Sequence, residues 1–177
     1  MKKQWYAAVA VPLIILTGSC SRDESGDVNP NPVDSNYVIT TSYINLGEVD
    51  AGNLAIGKSN NPVLRDYGQQ LVNDHTQAQA ELAETTRNMG YRLPAETDQK
   101  HKEMAAMLAQ LDGRTFDSTF IYKMLEGHQE ALVIQENEIS GGRSPALRNY
   151  ASRILPVIKK HEALADSIAH HLFPMKE

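Results

Sequence analysis

Three histidines and a glutamate stand where the surrounding pattern calls for apolar side chains. Counting by threes and fours, His75 shares a helical face with Leu64, Gly68, Leu71, Leu82 and Met89. His128 lines up with Ile121, Met124, Leu132 and Ile139, and His161 with Ile154, Val157, Leu164, Ile168 and Leu172. Glu48 falls on a face of Tyr37, Thr41, Ile44, Ala51, Gly52 and Ala55, several of them small enough to leave room beside a carboxylate. A surface helix keeps its charges outside, and a buried ionisable group needs a partner or a purpose. Three neutral imidazoles and a carboxylate are ligands for zinc, iron or copper, and facing helices build such sites in the middle of a bundle. The same four residues can instead form a metal-free network in which each imidazole bonds to a neighbouring carboxylate or carbonyl. Asp74, about 100° around the helix from His75, can either support such a ring from behind or stay at the surface as a solvated acid or a partner of Arg65 or Arg87.

Four long segments must carry these residues. The punctuation marks them at Asn36–Lys58, Pro62–Met89, Thr115–Ser140 and Pro145–Leu172, with Asn61-Pro62 and Ser144-Pro145 as cap-and-start pairs and Gly90 as a left-handed stop. The connection from Tyr91 to Gly113 holds a shorter helical stretch, Thr97 to Leu111. Pro156 removes one amide from the last long helix and predicts a kink there. The expected fold is all-α, a four-helix bundle of up-down-up-down topology with an extra short helix in the crossover between long helices 2 and 3. That topology puts the turns after Lys58 and after Ser140 at one end. From it, Glu48, His75, His128 and His161 lie about 15, 20, 18 and 24 Å down, within roughly two turns of one another.

Composition agrees. Aromatic residues make up only 6% of 177, which favours helices over a sheet-rich fold. The net charge of −5 comes with no basic stripe and no interleaved aromatics, so nucleic acid is not an expected partner. No Ser/His/Asp order, glycine-rich phosphate loop or activated cysteine is visible. His101, on the crossover, and His170-His171, at a helix end, have no function assigned.

The N-terminus has a different task. Lys2 and Lys3 precede an apolar stretch from Trp5 to Leu16, too short to span a membrane comfortably, and it runs into Leu16-Thr17-Gly18-Ser19-Cys20. That run resembles the lipobox of bacterial lipoproteins. Cys20 is the single cysteine, so it can form no disulfide within the chain and no thiolate zinc site. The expectation is a signal peptide over 1–19, acylation of Cys20 and a tether over 20–35, followed by the bundle over 36–173 and a tail over 174–177. Loss of the signal removes two lysines and leaves a charge of −7. The expected location is the bacterial cell envelope, with the protein held on a membrane, the outer one, by its acylated cysteine.

Glu48-Val49, Leu54-Ala55, Leu71-Val72-Asn73-Asp74-His75, Phe116-Asp117, Gly127-His128-Gln129-Glu130 and Leu155 to His161 together resemble the domain of unknown function four-one-four-two family. The resemblance implies a ferritin-like bundle exported to the bacterial envelope, and it implies no activity. Glu48, Asp74, His75, His128 and His161 occupy its polar positions. Di-iron bundles use Glu-x-x-His pairs, whereas Val72, Leu125 and Ile158 stand three before the histidines here, which argues against an oxygen-activating di-iron centre. Three functions remain in view: binding of one transition metal, a metal-free envelope interaction protein, and a hydrolase or oxidase using metal-bound water.

Overall fold

The computed structural model describes Met1 and residues 31–174. The signal segment, Cys20 and most of the expected tether lie outside the described residues. Among the described residues the chain is all helical: α1 (Pro32–Lys58), α2 (Pro62–Thr86), α3 (Gln99–Ala109), α4 (Gly113–Gly141) and α5 (Pro145–Leu172).

The boundaries follow local chemistry. Asn61 and Ser144 accept the amides of Val63 and Leu147, and each is followed by a proline whose missing N–H has no helical partner to lose. Asn31 does the same for Val33, so α1 starts at Pro32 rather than at the expected Asn36. Asp34, read from sequence as tether, is buried, and its carboxylate accepts the amides of Arg143 and Ser144 at 2.8 and 3.1 Å. It satisfies two backbone donors of the α4–α5 turn that no helix could serve. After α2 the chain turns through Gly90, at φ 75°. α5 is uninterrupted across Pro156, which faces solvent beside the exposed Ser152, whose carbonyl has lost its amide partner.

The direction of α4 corrects the expected topology. α1 and α2 are antiparallel: Asn45 meets Gln79, and Gly52 meets Gly68. The crossover then climbs back along α1, since Thr97 donates to the Tyr43 carbonyl, His101 packs on Gly47, and Lys58 reaches the carbonyl of Ala109 and the carboxylate of Asp112. α4 therefore begins at the Lys58 end and runs down to Asn31, which bonds to the Gly141 carbonyl. α5 returns, and its Leu172 and Phe173 carbonyls accept from Arg114 and Tyr122. Thus α1 and α5 run one way and α2 and α4 the other. Strict alternation fails because α3, about 16 Å long, carries the chain back along the molecule before α4 starts. The turns after Lys58 and Gly141 consequently lie at opposite ends. The depths still agree, because helices of this length span about 40 Å and all four residues sit near the middle.

The apolar core is split in two. One cluster, around Leu64, Tyr67, Phe116, Phe120 and Phe173, fills the Lys58 end; the other, around Tyr37, Leu82, Leu147 and Tyr150, fills the opposite end. Tyrosine hydroxyls inside them find acceptors, Tyr67 on the His161 carbonyl and Tyr150 on that of Ala78. At the α1–α2 crossing a Cβ on Gly52 would lie 2.6 Å from the Gly68 carbonyl oxygen, so the two backbones meet there without side chains. Gly52→Ala is expected to destabilise the fold by about 1–3 kcal/mol through overpacking. Gly57→Ala in the same helix, where a Cβ meets nothing within 4 Å, should stabilise by about 0.5–1 kcal/mol. Chemical denaturation of the two variants checks the contrast.

Candidate functional site

Between the two apolar clusters lies one polar layer. His75 is flanked along α2 by Leu71 and Ala78, His128 along α4 by Met124 and Ala131, and His161 along α5 by Ile158 and Ala165, all buried. The histidines are themselves at most 2% exposed. Their rings surround a common point, with centroids 5.3 to 5.8 Å apart, and one ring nitrogen of each lies within 4.8 Å of those of the other two.

The outward nitrogen of every ring is already occupied. His75 Nδ1 lies 3.0 Å from Asn45 Oδ1. The Asn45 amide is oriented in turn by donating to Gln79 Oε1, and Gln79 donates to Ser42 Oγ at 2.8 Å. His128 Nδ1 lies 2.7 Å from the Met124 carbonyl oxygen, and His161 Nε2 lies 2.8 Å from Asp74 Oδ2. All three partners are acceptors, so each of these nitrogens carries a proton. The remaining nitrogens, His75 Nε2, His128 Nε2 and His161 Nδ1, are then bare lone pairs, and none has a hydrogen-bond partner in the protein.

Burial and mutual proximity hold His75 and His161 neutral. His75 is held well below the usual imidazole range by burial first and by its two histidine neighbours second. His161 is also lowered, by burial first and by the His128 ring second, against the opposing pull of the Asp74 carboxylate. Asp74 bonds the ring of His161 rather than that of its sequence neighbour His75.

Glu48 does not join the three-nitrogen group. It is buried in the same layer, but it stands behind His128, with Oε1 4.0 Å from Nδ1, the nitrogen facing away from the centre. Burial raises its carboxyl above the ordinary range, and His128 and His101 offset this only in part. Its Oε2 has no partner. Helical periodicity put Glu48 inside correctly, but not on the same side of His128 as the other two rings. Sequence reasoning missed Ser42, Asn45 and Gln79, although Ser42, Asn45 and Glu48 recur every third residue on the buried face of α1. It also left His101 without a role. That ring fills the space a side chain at Gly47 would need, and its Nδ1 bonds to Asp98.

The neutral rings make a pH prediction. Unfolded imidazoles take up protons below about pH 6.5 while the buried ones do not, so His75 and His161 withdraw stability as pH falls. Glu48 and Glu138, the latter raised to about 7 by burial and by Asp34, act in the opposite sense. The histidine part is therefore read against His75→Gln in chelator. Between pH 6.5 and 5 the wild type should lose up to about 1.4 kcal/mol per pH unit relative to the variant. A constant gap in denaturation midpoints would mean that His75 is not held neutral.

No curated protein and no solved structure matches the chain. A family model does, over residues 21–168, a span that includes all of α1 to α4, most of α5 and every residue of the histidine layer. By that match the chain belongs to the family described as Domain of unknown function (DUF4142).

Proposed function

We propose that this is an envelope lipoprotein with a ferritin-like four-helix bundle, whose His75, His128 and His161 hold one transition metal ion. The observation that carries the reading is the set of three buried ring nitrogens with no protein partner, each opposite a nitrogen already bonded to an acceptor. Buried polar atoms are rarely left unsatisfied, and three lone pairs directed at one space repel unless a cation lies between them. Neutral imidazoles oriented by a carboxylate, an amide and a carbonyl are how proteins prepare histidine ligands. Zinc, copper and ferrous iron all accept such a set.

Electrostatics support the same reading. Asp74 sets a negative charge behind His161, and Glu48 lies behind His128, so a dication among the rings would have two carboxylates close by. A tetrahedral site needs its nitrogens roughly 3.3 Å apart, which the rings reach by turning inward. The burial of all three rings favours holding an ion over catalysis on a diffusing substrate. One crossover in an otherwise short-looped bundle is the connectivity of ferritin-like folds. The lipobox-like run ending at Cys20 supports attachment to a membrane of the bacterial envelope.

Elemental analysis of the purified protein, and of apo-protein reloaded after chelation, should find one ion of zinc, copper or iron per chain. His75→Ala and His161→Ala should each abolish it while circular dichroism stays helical. Asp74→Asn should weaken affinity about 10–100-fold through His161. At metal concentrations a hundredfold above the dissociation constant, the wild type should gain about 2.7 kcal/mol of stability. A stable apo-protein that takes up none of the three metals would make the layer a metal-free network and favour an envelope interaction protein.

A further inference from the structure

Glu48 also forms part of a second feature. It lines a cleft of about 350 Å³ between α1, α3 and α4, on the side of His128 away from the histidine centre. Ile44, Met104, Met107, Met124 and Ile134 supply apolar walls. Volume and lining are those of a small-molecule site, in which an apolar body is held by few polar groups.

The charges of the cleft decide which molecule. Both of its lysines are already paired, Lys100 with Glu130 and Lys123 with Glu126, and Asp98 is engaged by His101. Two carboxylates remain without a cation. Glu103 accepts only the neutral amide of Gln99, and Glu48 Oε2, buried, has no hydrogen-bond partner at all. Gly127, opposite, presents no side chain to the Glu48 carboxylate; a Cβ there would stand 3.4 Å from Oε1. A buried carboxylate in an apolar cleft, under a mouth with an uncompensated acid, repels anions and gains most from a cation that brings its own hydrogen-bond donors.

We propose that the cleft binds a small alkylammonium ion, with its charged head on Glu48 and its carbon chain against the methionines of α3 and α4. Neutral and anionic molecules of the same shape lack the donor or carry the wrong sign. The cleft needs no metal, although its Glu48 also stands beside His128.

The test uses the full chain in the presence of chelator, titrated calorimetrically with n-hexylammonium, n-hexanol and n-hexanoate at constant ionic strength. The expected result is saturable binding of one n-hexylammonium per chain, at least tenfold tighter than n-hexanol, with no binding of n-hexanoate. Glu48→Gln should bring the ammonium down to the level of the alcohol. Met107→Lys, at an exposed position on the cleft wall, should abolish ammonium binding with the fold intact. No saturable binding, an alcohol that binds as well as the ammonium, or unchanged binding in the well-folded Met107→Lys protein would each overturn the proposal.

Discussion

The structure is organised around the cost of placing three imidazoles inside a helical core. Each ring brings polar nitrogens into a region shut off from bulk solvent, and a lost partner there costs about 1–3 kcal/mol. The fold meets half of that demand from its own chain. Asn45, the Met124 carbonyl and Asp74 take the three protons. Asn45 ties α1 to α2 and Asp74 ties α2 to α5, while the Met124 carbonyl serves a ring of its own helix, α4. Shifting α1, α2 or α5 by a turn would break at least one of these bonds.

The apolar clusters on either side make the layer stiff. Leu71, Met124 and Ala165 belong to the cluster at the Lys58 end, and Ala78, Ala131 and Ile158 to the cluster at the other end. Every histidine is thus gripped along its own helix by packed side chains above and below. The glycine contact between α1 and α2 brings those helices close about two turns along from where Asn45 reaches His75. Packing that is this dense does not adjust gradually, which suits a site whose geometry must be held.

Much of the fold was legible from local chemistry. Cap-and-proline pairs gave the starts of α2 and α5, Gly90 gave the turn after α2, and the spacing of leucines and isoleucines turned all three histidines inward. The sense of α4 was not legible, because a crossover of this length can leave the chain at either end of the molecule. Nor was the use of Asp34. Its acid sits among Asn, Pro and Ser residues, and only the arrival of the α4–α5 turn beside it supplies the two amides it accepts.

By itself, then, the sequence determined which residues are inside, because periodicity of 3.6 acts within one helix and needs no neighbour. It determined an all-helical fold for the described residues and a family whose match spans the histidine layer. Tertiary structure alone decided which inward residues meet. The three rings converge while Glu48, equally buried and at similar depth, looks onto the far side of His128 and into another cleft. Depth along a helix is set by residue number, but the angle between facing side chains is set by how the helices cross and pack. No count along a single helix contains that angle.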